Sequence, residues 1–140
     1  MEKKANNEDK IMWKVMIVDD EKLICKLVQA LVEWDKLGMQ MAAQAENAIQ
    51  ALDMLQQYRP DILITDIRMP GMDGLELIKN AKKICPELEI IIISGYAHFE
   101  YARNALSLGV GNYLLKPIKQ DELNETLRKI GERLDAKKSA

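Results

Sequence analysis

Short apolar runs alternate with longer amphipathic stretches along this chain. Lys14–Val18 (KVMIV) is apolar and predicts a strand. Leu23, Ile24, Leu27, Val28 and Leu31 follow at helical spacing, and Gly38 breaks the chain. Met39–Ala45 is a weaker strand candidate. Residues 47–57, carrying Ile49, Leu52 and Leu55, predict a short helix that Pro60 stops. Asp61–Thr65 (DILIT) predicts a third strand. Pro70, Gly71 and Gly74 mark a loop, after which Leu75, Leu77, Ile78 and Ala81 open a helix that Pro86 ends. Glu89–Ile93 (EIIII) is apolar without alternation, the pattern of a strand buried on both faces. Residues 97–108 predict a helix ending before Gly109, Asn112–Leu115 predicts a fifth strand, and Leu123, Leu127, Ile130 and Leu134 predict a last helix.

Five strands separated by helical segments predict an α/β fold, a doubly wound (βα)5 parallel sheet with helices on both faces, that is, a three-layer sandwich. One folded domain spans residues 13–134. Residues 1–12 are polar and mixed in charge, and 135–140 continue without apolar spacing, so both ends are expected to be disordered.

Composition narrows the function. Of 140 residues, Lys+Arg number 20 and Asp+Glu 22, a formal net charge of -2 that does not suit a nucleic-acid binder. No apolar run has the length of a membrane span, and the start lacks the apolar segment of a signal peptide. Cys25 and Cys85 are too few for a disulfide framework and too far apart for a Cys-x-x-Cys site. The expected setting is the reducing cytoplasm.

In open α/β sheets, sites form outside the carboxyl ends of the strands. Strand one ends in Asp19, Asp20 and Glu21, strand three at Asp66, strand four at Ser94, and strand five at Lys116 and Pro117. Two like charges about 4 Å apart repel by roughly 4 kcal/mol at an effective dielectric of 20. Three converging carboxylates therefore need compensation, which Lys116 and a hard divalent cation, Mg2+, would supply. A carboxylate beside such a cation can attack phosphorus. Ser94 and Lys116 could then bond the phosphoryl oxygens. The competing reading of Asp19 and Asp20 is helix capping. His98, the one histidine, reads as a surface helix position, and the eight Met residues as packing.

The pieces VDDE (Val18–Glu21), DIRMPGMDG (Asp66–Gly74), ISG (Ile93–Gly95) and YLLKP (Tyr113–Pro117) resemble the receiver domain of bacterial two-component response regulators. SGYAHFEYA (Ser94–Ala102) is similar to receivers that carry an AraC-type DNA-binding domain. The resemblance implies a flavodoxin-like sheet of order 2-1-3-4-5. It makes Asp66 the phospho-acceptor and Asp19 and Asp20 the acidic pair that holds Mg2+ with Asp66, the backbone carbonyl of Arg68 completing the metal site. Ser94 matches the switch hydroxyl, Lys116 the phosphate-pairing lysine and Tyr113 the switch aromatic. Pro117 would follow a cis peptide bond. Arg68 and Tyr96 would flank the phosphoryl group and slow its hydrolysis.

The implied function is that of a signalling switch rather than an enzyme. A sensor histidine kinase phosphorylates Asp66, and the face made by the 97–108 helix, the fifth strand and the last helix changes shape to control an output, transcription through a DNA-binding domain. The resemblance allows a homodimer on phosphorylation, with no direct nucleic-acid contact from this domain and no membrane contact. The chain is expected to be a receiver cut from a longer regulator; the alternative is a stand-alone phosphate-dependent interaction switch. A dehalogenase-type hydrolase needs Asp-x-Asp after strand one, which Asp19–Asp20–Glu21 does not give. An FMN carrier needs a phosphate loop there, and Glu21–Lys26 (EKLICK) cannot cradle a phosphate.

Overall fold

A computed structural model describes residues 12–67, 69, 71, 72, 74–95, 103, 104, 107 and 109–139. The elements run β1 (Trp13–Val18), α1 (Lys22–Leu31), α2 (Trp34–Leu37), β2 (Met39–Ala45), α3 (Ala48–Tyr58), β3 (Ile62–Thr65), α4 (Gly74–Ile84), β4 (Glu89–Ser94), β5 (Asn112–Leu115) and α5 (Gln120–Ser139). Between β4 and β5, residues 103, 104 and 107 are helical, as the pattern over 97–108 predicts.

The strands form one parallel sheet of order β2-β1-β3-β4-β5. Alternation along β1 explains the two layers that cover it. Met16 and Val18 pack with Leu55, Leu77 and Ile78 of α3 and α4. Val15 and Ile17 pack with Cys25 and Val28 of α1 and with Leu123, Leu127 and Ile130 of α5. The run of isoleucines in β4 divides in the same way, Ile90 and Ile92 to one layer and Ile91 and Ile93 to the other. Burying each such side chain is worth about 1.5–3 kcal/mol, so this interior strand contributes to both cores.

Two boundaries differ from the sequence pattern. A helical turn, α2, precedes Gly38, because Gly38 adopts a left-handed conformation (φ 68°) that caps it and turns the chain into β2. The last helix continues past Leu134 to Ser139, which corrects the expected disorder of residues 135–139. Polar contacts hold that turn where apolar spacing stops: Trp13 Nε1 donates to Asp135 Oδ1 at 2.9 Å, and Lys137 lies 3.9 Å from Glu89. The predicted disorder of residues 1–11 and of 140 falls outside the described residues, as do Arg68, Tyr96 and His98.

Candidate functional site

Parallel pairing brings the strand ends to one level. Val18 lies opposite Thr65 in the β1–β3 register, so the next residues, Asp19 and Asp66, emerge side by side. Asp66 N–H still donates to Val18 O at 3.1 Å, and Asp19 N–H to Ala45 O at 3.2 Å, so both backbones stay tied to the sheet up to the acidic side chains. One carboxylate oxygen each from Asp19, Asp20 and Asp66 falls within 4.8 Å of the others. Asp19 and Asp66 are buried (2% and 7% exposed), whereas Asp20 faces solvent.

The capping alternative for Asp19 does not hold. The N-cap position of α1 is Glu21, and no side chain caps that helix. Asp19 Oδ1 accepts from Glu21 N–H at 2.9 Å and so shapes the turn between β1 and α1. Its other oxygen lies 3.6 Å from the Lys116 ammonium.

Lys116 follows β5 at the same rim, and its N–H donates to Ser94 O at 2.9 Å. The peptide bond to Pro117 is cis. Lys116 Nζ donates to Asp66 Oδ2 at 3.2 Å, so one ammonium serves two buried carboxylates. Burial works to lower its pKa, but Asp19 and Asp66 outweigh that and hold it above the ordinary lysine value. For Asp19 the balance runs the other way. Burial pushes its carboxyl up to about 6, against the pull of the Glu21 N–H and Lys116, and Asp66 and Asp20 add repulsion. Negative charge is therefore in excess here, and three acidic oxygens around one lysine fit a hard divalent cation with oxygen ligands.

Ser94 closes β4 between the strands that bear Asp66 and Lys116, and it is fully buried. Tyr113 is half-buried on β5, and its hydroxyl donates to Gly95 O at 3.4 Å, the carbonyl next after Ser94. Cys25 lies beneath the site, its thiol 3.7 Å from Asp19 O and pushed by burial up to about 11, so it remains a neutral packing group.

Two residues without a predicted role shape the acceptor loop. Gly74 opens α4 against it, its N–H donating to Ile67 O at 2.6 Å. A Cβ there would meet Asp66 O and Ile67 Cα at 2.6 Å each. Thr65 Oγ1 donates to Asp66 O at 2.8 Å. The glycine was visible in the sequence only as a loop marker, and nothing but its hydroxyl distinguishes Thr65 from the apolar residues of its strand.

The sequence profile of the response regulator receiver domain matches residues 15–128. The chain is 40% identical over 119 residues to the transcriptional regulatory protein YesN of Bacillus subtilis, covering 85% of this chain and 32% of that protein. It is 33% identical to the transcriptional regulatory protein HptR of Staphylococcus aureus, covering 85% of this chain and 46% of HptR. The chain thus spans less than half the length of either relative. Among solved structures, the receiver domain of AraT, a response regulator from Geobacillus stearothermophilus, superposes with a TM-score of 0.87 at 38% identity, covering 91% of this chain and 99% of that one. A two-component transcriptional regulator AraC from Clostridium phytofermentans gives 0.84 at 32% identity, with the same coverage of both chains. Among the described residues, no helix is long and apolar enough to cross a membrane.

Proposed function

The chain belongs to the response regulator receiver domain family, and from its site we propose that it accepts a phosphoryl group on Asp66 from a sensor histidine kinase and acts as a switch rather than as an enzyme in its own right. The observation that carries this reading is the single ammonium of Lys116 lying 3.2 Å from Asp66 and 3.6 Å from Asp19. It stands beside the attacking carboxylate and the oxygens that gather charge during transfer.

In the transfer, an Asp66 oxygen bonds to phosphorus as the bond from phosphorus to the donor nitrogen breaks, and that electron pair leaves with the imidazole. Lys116 then bonds one phosphoryl oxygen, and Ser94 donates its hydroxyl to another. Asp19, Asp20, Asp66 and the backbone carbonyl of Arg68 would hold Mg2+, which when bound neutralises charge on the phosphoryl oxygens. The exposure of Asp20 and the engagement of Asp19 with Glu21 and Lys116 support Asp20 as the more direct ligand.

Phosphorylation adds about −1.5 to −2 charge. Ser94 moves toward it, Tyr113 follows, and the face made by residues 97–108, β5 and α5 changes shape. The hydrogen bond from Tyr113 to Gly95 supports that route, because it joins the aromatic ring to the residue after Ser94. The output is transcriptional control through a DNA-binding domain, with dimerisation on phosphorylation, in the cytoplasm.

The test is to incubate the protein with Mg2+ and acetyl phosphate and to follow intact mass and amide NMR. One phosphoryl group should appear, Asp66→Asn should take none, and the amides around Ser94 and Tyr113 should shift. An unlabelled wild-type protein, or labelling that survives in Asp66→Asn, overturns the assignment.

A further inference from the structure

With Asp66 taken as the acceptor, as proposed above, we propose that Thr65 is its positioning residue: the Thr65 hydroxyl fixes the peptide that in turn holds the Asp66 carboxylate in its attacking orientation. Thr65 Oγ1 donates at 2.8 Å to the carbonyl of the peptide joining Asp66 to Ile67. The N–H of the same peptide donates at 2.6 Å to Asp66 Oδ1. A peptide is a rigid plane. Turning its carbonyl turns its N–H, and with it the carboxylate that this N–H holds. The next plane is fixed as well, because Ile67 O accepts from Gly74 N–H at 2.6 Å. Asp66 Oδ2 thereby points at the Lys116 ammonium.

Packing alone does not ask for this hydroxyl. Thr65 is 1% exposed and sits among Leu63, Ile64, Val18 and Ile92 on its own and neighbouring strands. Valine would fill the same space without a polar group to desolvate. The hydroxyl instead joins the end of the strand to the reacting side chain. In the transfer, an Oδ2–phosphorus bond forms in line as the donor's bond to phosphorus breaks and the electron pair leaves with the donor. A carboxylate turned away from that line still binds the cation and the donor but reacts more slowly.

The experiment compares wild type, Thr65→Val and Thr65→Ser by intact-mass time courses across acetyl phosphate concentrations at saturating Mg2+. The valine variant should show a maximal rate about tenfold lower with an unchanged half-saturating donor concentration. Its melting temperature should fall by no more than the loss of one buried hydrogen bond implies, and serine should recover the rate to within about twofold. Thr65→Ala, smaller than either, gives the same contrast if valine crowds the loop. A valine or alanine variant that labels at the wild-type rate, or a serine variant as slow as valine, overturns the role of Thr65 while leaving Asp66 as acceptor. A wild-type protein that takes no phosphoryl group overturns both.

Discussion

Lys116 Nζ lies 3.2 Å from Asp66 Oδ2 and 3.6 Å from Asp19 Oδ2, although fifty residues of chain separate it from the nearer partner. One cation thus faces two buried anions, and negative charge remains in excess. This imbalance should govern the stability of the domain and any response to magnesium.

Removing the cation should be costly. Lys116→Met leaves two buried carboxylates without their shared partner, so the metal-free protein should lose about 1–3 kcal/mol of stability. Urea unfolding at pH 7 in the presence of a chelator measures the loss. An unchanged midpoint would show that water already screens the pair.

Removing one anion should do the opposite. The Asp19 carboxyl rises from 3.8 to about 6 on folding. The folded state therefore holds that proton more tightly than the unfolded state. The stability this confers is complete below pH 3.8 and is lost as pH rises through about 6. A shift of this size corresponds to about 3 kcal/mol at pH 7. Asp19→Asn, which keeps an acceptor for Glu21 N–H, should match wild type near pH 3.5 and exceed it by about 2–3 kcal/mol at pH 7 without metal. Urea midpoints at both pH values check the sign.

The same proton should compete with magnesium. Binding needs the Asp19 carboxylate ionised, so Mg2+ affinity should fall as pH drops through about 6. Calorimetry of Mg2+ binding checks this. An affinity that is flat between pH 5 and 7.5 contradicts the expectation.

Gly74→Ala places a methyl group 2.6 Å from Asp66 O and Ile67 Cα, both backbone atoms. The acceptor loop must shift. The variant should lose about 1–3 kcal/mol and take up phosphate from acetyl phosphate more slowly, as unfolding curves and intact-mass time courses would show.

Asn124 offers a contrast at a distance from the site. Its buried amide donates to Leu31 O at 2.8 Å and Gln120 O at 2.9 Å and accepts from Glu33 N–H at 2.8 Å, joining α5 to the end of α1. Asn124→Ala leaves Glu33 N–H without that acceptor, while Leu31 O keeps Gln120 Nε2 at 3.2 Å, and should cost about 1–3 kcal/mol. The labelling rate of the folded fraction should stay at the wild-type value, since none of these groups meets Asp66.

The sequence by itself determined the layers and the contents of the rim. Apolar runs without alternation can be buried only between two layers, so EIIII at Glu89–Ile93 already implied helices on both faces. Asp19, Asp20, Asp66, Ser94 and Lys116 each follow an apolar run, which sets them at strand ends on the sequence alone. The strand order came from the family resemblance, because periodicity carries no information on which strands are neighbours. Only the tertiary structure decided that Val18 stands opposite Thr65, and hence that Asp19 and Asp66 share one lysine. It alone gave Thr65, Gly74 and Asn124 their tasks. Those depend on hydrogen bonds and close approaches to backbone atoms, and a backbone carbonyl leaves no trace in the order of side chains.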